Sequence, residues 1–173
     1  MIINPIALAV IAATAGLASA DSLVIDVSGT QFFDDQGAAI NTTLNIYVAY
    51  SATITNISWD VNLTTFTQPN TTFPSWASEA VMLFEGAETV NVSNDGFGVV
   101  NQNYAGSQAS ALVLGADGIL EIEFFESFDD ATGFADAQFE AGSTITIHGF
   151  AHPTPSSLAA FAAFGLFTSR RKR

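Results

Sequence analysis

Ile54-Thr55-Asn56-Ile57-Ser58-Trp59-Asp60-Val61-Asn62-Leu63-Thr64 decides the fold class of this chain. Ile57, Trp59, Val61 and Leu63 alternate with Ser58, Asp60, Asn62 and Thr64. A period of two places one set on a core face and the other in water, as in a strand whose sheet is wet on one side. The same alternation recurs outward from this stretch. Leu23, Ile25 and Val27 carry it upstream, then Leu44, Ile46, Val48 and Tyr50. Downstream, Leu120, Ile122 and Phe124 face away from Glu121 and Glu123, and Ile145 and Ile147 alternate with Thr144, Thr146 and His148. Residues 81–84, 89–92 and 111–114 are shorter candidates. Asp35-Gln36-Gly37, Asn94-Asp95-Gly96, Asp117-Gly118 and the Asp129-Asp130 to Gly133 stretch supply turns between them. No window of this region carries a helical period. The expectation is an all-β protein, an antiparallel β-sandwich of the jelly-roll kind.

Charge placement narrows what such a sandwich can bind. All 17 acidic side chains lie between Asp21 and Glu140, and the four basic ones are Arg170, Arg171, Lys172 and Arg173. Residues 21–151 therefore hold no Lys or Arg. A domain so composed has nothing to neutralise phosphates, which argues against nucleic acid as a partner and against anionic lipid. Cations, neutral sugars and basic proteins remain. The chain has no cysteine, so disulfides and thiolate metal sites are excluded.

Both ends have the character of processing signals. Ile6 to Leu17 is apolar and Ala18-Ser19-Ala20 follows, giving small residues at Ala18 and Ala20. This fits a secretory signal peptide over residues 1–20, cut by signal peptidase before Asp21. A buried N-terminal helix is the other reading of the same residues. At the far end, Pro153-Thr154-Pro155 is stiff and extended, Ser156 to Ser169 is small and apolar, and Arg170 to Arg173 ends the chain. As a helix the apolar stretch would extend only about 21 Å, against a bilayer core about 30 Å thick. It suits a transient inner-membrane stop, with the basic tail held on the cytoplasmic side.

That order of motif, short apolar helix and Arg-rich end resembles the PEP-CTERM sorting signal over the last 21 residues. Thr154 stands where the family has Glu, so the motif is a Pro-Thr-Pro variant. The resemblance implies export, handling by an exosortase-like sorting enzyme, and a link to bacteria that make exopolysaccharide. A plain C-terminal membrane anchor is the alternative. The domain itself resembles the P-domain-like jelly rolls, in ITNISWDVNLT followed by SEAVMLFEG, and in DGILEIEFFESFDD leading to AGSTITIHGF. That likeness implies an accessory, non-catalytic module.

A search for chemistry gives little. His148 and His152 are the two histidines, and neither sits in a triad or zinc-binding pattern. Glu121, Glu123, Glu126, Asp129 and Asp130 make a carboxylate-rich edge that reads as a solvated strand face. Gly96-Phe97-Gly98 lacks the helix and lysine of a phosphate loop. Calcium is the cofactor the acidic loops could hold, with Asp129, Asp130 and Asp136 as the candidate ligands. Trp76, Phe66, Phe73, Phe134 and Phe139 are candidate sugar platforms.

The sequence thus predicts three parts: a signal helix over 1–20, an acidic β-sandwich over 21–151, and a sorting or anchor segment with a short hydrophobic helix over 152–173. The expected function is that of a non-enzymatic exported protein of the cell surface or extracellular matrix, associated with exopolysaccharide. A carbohydrate- or calcium-binding adhesion module is the alternative.

Overall fold

A computed structural model describes residues 21–68, 72–128 and 133–150. The signal segment with Ala18 and Ala20, the Pro153-Thr154-Pro155 motif, the Arg170 to Arg173 tail, and Asp129 and Asp130 lie outside them. Among the described residues no helix is long and apolar enough to cross a membrane.

Among the described residues, ten strands form two antiparallel sheets. The larger sheet holds β1 (Asp21–Asp26), β2 (Gln31–Phe32), β4 (Thr53–Thr65), β7 (Gln102–Val113), β9 (Ala137–Phe139) and β10 (Thr144–Phe150). The smaller sheet holds β3 (Thr42–Tyr47), β8 (Ile119–Glu126), β5 (Ala80–Phe84) and β6 (Glu88–Asn91), in that order. A 3₁₀ turn over Ala77–Glu79 precedes β5.

The alternating stretch Ile54 to Thr64 is the spine of the larger sheet. At 13 residues β4 is its longest strand, extending roughly 43 Å at about 3.3 Å per residue. One side of β4 pairs with β7, from Thr53↔Val113 to Leu63↔Gln102. The other side takes two strands in succession, β10 from Asn56 to Asp60 and β9 from Leu63 to Thr65. Beyond them lie β1 on β10 and β2 on β9. In the smaller sheet β8 is central, pairing with β3 and β5, and β6 closes on β5.

Alternation delivers the core as expected. Ile57, Val61 and Leu63 are buried, as are Leu120, Ile122 and Phe124, and Ile145 and Ile147. Phe32, Phe124 and Phe139 pack edge to face, with ring centroids 4.9 Å, 5.7 Å and 6.1 Å apart. They come from β2, β8 and β9, so this cluster joins the two sheets. Such pairs add about 0.5–1.5 kcal/mol each beyond area burial. Two expectations need correction. Phe139 is core and no sugar platform, because the short strand β9 turns it inward. Tyr50 does not continue β3: the strand ends at Tyr47, and Ser51 adopts a left-handed φ of 50° in the turn that follows.

Without basic side chains, the carboxylates are met by neutral donors. Glu123 Oε1 accepts from the Gly37 amide at 2.7 Å and from Asn41 Nδ2 at 2.8 Å. Glu88 accepts from Gln108 Nε2 at 3.0 Å and Ser110 Oγ at 2.6 Å, which ties the edge of the smaller sheet to β7. Asp60 takes Asn103 Nδ2, and Asp95 takes the Tyr104 hydroxyl, both at 2.8 Å. Each bond to a charged acceptor recovers part of the lost hydration without cancelling the charge.

An aromatic face at one end of the sandwich

The C-terminal ends of β4 and β8 and the N-terminal ends of β5, β7 and β9 meet at one end of the sandwich. The described parts of three connections lie there: residues 66–68 with 72–76, residues 92–101, and residues 127–128 with 133–136. Backbone bonds fix them to one another. Phe66 N donates to Asp136 O at 2.7 Å and Ser75 N to Phe66 O at 3.0 Å. Ala77 N donates to Phe97 O and Ser78 N to Asp95 O, both at 3.0 Å. Ser127 N reaches Glu79 O at 2.9 Å. The Gln68 side-chain amide donates to Ala135 O.

Asp136 is the hub of this arrangement. Its amide donates to Phe32 O, its carbonyl accepts from Phe66, and its fully buried carboxylate accepts from Ser75 Oγ at 3.1 Å. Of the three calcium candidates, then, Asp136 supports the loops from inside, while Asp129 and Asp130 lie outside the described residues. No group of three or more His, Cys, Asp or Glu that could hold a metal occurs among the described residues.

On this support stand large apolar side chains in water. Phe73 is 75 % exposed, Phe128 63 %, Phe97 57 %, Trp76 51 % and Phe134 50 %. With about 150–250 Å² per aromatic side chain, they present roughly 500–600 Å² of ring surface. Local packing positions Trp76 and the segment that carries it. A Cβ added at Gly96 would lie 3.6 Å from Trp76 Cε3, so the indole rests against that glycine. At Gly98 an added Cβ would come within 2.1 Å of Pro74 Cγ, so only glycine lets residues 96–98 lie along the Pro74-Ser75-Trp76 segment. The Trp76 amide donates to Glu79 Oε2 at 2.8 Å, which fixes the backbone beneath the indole.

Of the candidate sugar platforms in the sequence, Trp76, Phe73 and Phe134 are exposed on these loops. Phe66, another of those candidates, is half-buried. Phe97 and Phe128 were missed; a lone phenylalanine between two glycines was the only signal for Phe97.

Two other places bring polar or aromatic side chains together in pairs. On the open face of the larger sheet, His148 Nε2 lies 3.0 Å from Ser58 Oγ, and the ring's other nitrogen bonds to no described residue. At the opposite end, Tyr47 and Tyr50 stack edge to face at 5.5 Å, and burial together with the Tyr50 neighbour pushes the Tyr47 phenol up. Neither place assembles several groups around one point.

No family model matches the chain, and no curated protein matches it. Solved structures similar to it include those of a viral protein. The infectious bursal disease virus VP2 subviral particle is 16 % identical with a TM-score of 0.35, over 80 % of this chain and 35 % of that one. The structure of the same virus's Gx strain is 15 % identical with a TM-score of 0.28, over 90 % of this chain and 40 % of that one. The chain therefore spans less than half the length of the structures it resembles.

Proposed function

We propose that this chain is a non-enzymatic, exported cell-surface or matrix protein, and that the aromatic end of its jelly-roll-like sandwich holds neutral polysaccharide. The observation that carries the reading is the group of exposed rings, Trp76, Phe97, Phe73 and Phe134, on loops tied together by backbone bonds. Flat rings stack on the apolar faces of sugar rings, and pre-organised side chains lose little entropy on binding. Glu79 and Asp95, both half-buried in this region, offer carboxylate oxygens to sugar hydroxyls. Acidic glycans are disfavoured, because residues 21–151 hold 17 carboxylates and no Lys or Arg. The exported location and the sorting reaction rest on the sequence alone: the Ala18-Ser19-Ala20 site, the Pro153-Thr154-Pro155 motif and the Arg170 to Arg173 tail. Signal peptidase and an exosortase-like enzyme are the processing partners in this reading, with transient anchoring in the inner membrane.

A glycan array probed with the full chain tests it. Binding should concentrate on neutral polysaccharides, and Trp76→Ala with Phe97→Ala should weaken it at least tenfold. Truncating one stacked aromatic typically costs about 1–3 kcal/mol by analogy with base stacking. An array blank for neutral glycans, or a double variant that binds undiminished, refutes the proposal.

A further inference from the structure

The sheets end on exposed edges, and one edge differs from the rest. Natural proteins guard such edges with charge, proline or brevity, because unpaired N–H and C=O groups invite another strand. Here β2 has two residues, β6 has four and carries Glu88, and β1 has six with Asp21 and Asp26 at its ends. β3 is uncharged but only six residues long. β7 runs for 12 residues as Gln-Asn-Tyr-Ala-Gly-Ser-Gln-Ala-Ser-Ala-Leu-Val, with no charge and no proline. Among the described residues it pairs with β4 alone. The acids beside the strand each accept from its side chains: Glu88 from Gln108 and Ser110, Asp95 from Tyr104, and Asp60 from Asn103.

We propose that β7 is a self-association edge, where a second copy of this chain adds its own β7 antiparallel about a two-fold axis. Charge decides the occupant. With 17 acidic side chains and no basic one in residues 21–151, two copies repel wherever carboxylates face each other. Along β7 they meet a strand without charge, the longest approach open to like copies. A basic partner would gain most at the acidic surfaces and least at this edge. A two-fold pairing is isologous: the same strand serves both sides, and antiparallel addition satisfies the outward amides of each. The register centred on Ser107 sets Ala105 opposite Ala109 of the other copy, and both alanines are exposed. This inference is independent of the glycan reading, since β7's edge and the aromatic rings are different surfaces.

Sedimentation of the full chain tests the proposal, read together with hydrogen exchange at residues 102–113. The pair should form at physiological salt and weaken at low salt, because screening falls from a Debye length of about 8 Å to about 30 Å between 0.15 M and 0.01 M. Exchange along β7 should slow as concentration rises. Ala105→Glu with Ala109→Glu should raise the dissociation constant at least tenfold at an unchanged melting temperature. Ala105→Glu with Ala109→Lys should restore association by facing opposite charges across the axis. A chain monomeric at every salt concentration overturns the proposal. So does association that leaves exchange at 102–113 unchanged, as pairing through the apolar tail or the aromatic end would. The exchange measurement needs no variant, so a misfolded double mutant leaves the test intact.

Discussion

Gly106→Ala probes the packing of β7 on β4 at a single atom. Gly106 stands opposite Trp59 in the register, and a Cβ there would lie 2.4 Å from Trp59 Cζ2, 2.8 Å from Cε2 and 2.9 Å from Cη2. Ordinary carbon contacts lie at about 3.5–4.0 Å, so the indole must withdraw by roughly 1 Å. It has little room to do so. The ring is rigid, β4 is held on one side by β7 and on the other by β10, and the indole N–H is already buried without a hydrogen-bond partner. Overpacking of this kind costs about 1–3 kcal/mol. Replacing a strand glycine recovers about 0.5–1 kcal/mol of backbone entropy. The net expectation is a loss of about 1–2 kcal/mol, or roughly 4–8 °C in melting temperature for a domain of this size. The three clashing atoms all belong to the six-membered ring of the indole. In a Trp59→Phe background the same Gly106→Ala change should therefore be neutral or stabilising, giving a coupling of about 1–3 kcal/mol in a double-mutant cycle. Thermal and urea unfolding of the four proteins measure it. Equal penalties in both backgrounds, or a harmless Gly106→Ala alone, refute the packing argument.

The remaining expectations concern charge and processing. Melting temperature should rise smoothly with ionic strength, because carboxylates without basic partners repel in the compact state; a flat response contradicts this, and identical calcium and magnesium curves at matched ionic strength remove the Asp129, Asp130 and Asp136 site. Burial pushes the Tyr104 phenol up, with Ser93 opposing and the Asp95 carboxylate adding to the rise; its contribution is therefore complete below the ordinary tyrosine range and lost as pH climbs through the raised value. Spectroscopic titration should show this late-ionising phenol disappear in Tyr104→Phe. N-terminal sequencing of exported protein should begin at Asp21, and replacing Arg170 to Arg173 with neutral residues should send the chain past its membrane stop with its tail uncut; a start at Met1, or unchanged size and location, counts against the sorting reading.

What was legible in the sequence follows the hydrophobic contrast of each strand. β4 could be read residue by residue because Ile57, Val61 and Leu63 enter the core while Ser58, Asp60 and Asn62 stay wet. β7 is nearly as long, yet only residues 111–114 stood out. Its inward side chains include Tyr104, Gln108 and Ser110, which face Glu88 and Asp95 at the rim, while Gly106 leaves its place to the Trp59 indole. Alternation of polar with polar carries no signal. β2 and β9 are too short for any period, although Phe32 and Phe139 on them are central to the core. The aromatic face was half legible for a related reason. Trp76 and Phe134 lie outside every alternating run, whereas Phe139 looked the same until β9 showed which way it turns. Which loops converge depends on strand pairing across 30 to 70 residues, as in Thr65 with Val99 and Phe66 with Asp136, and no local pattern encodes that.

Tryptophan fluorescence bears most directly on the central claim, that the aromatic end holds neutral polysaccharide. The chain has two tryptophans: Trp76, half in water on the aromatic face, and Trp59, packed beneath β7. Titrating the full chain with a neutral polysaccharide should shift emission to the blue and saturate as Trp76 loses water. Trp76→Phe, which keeps Trp59 and a ring at the site, should retain binding by calorimetry while losing the spectral shift. A shift that survives in Trp76→Phe, or saturable binding with no change at Trp76, would place the ligand elsewhere and contradict the account.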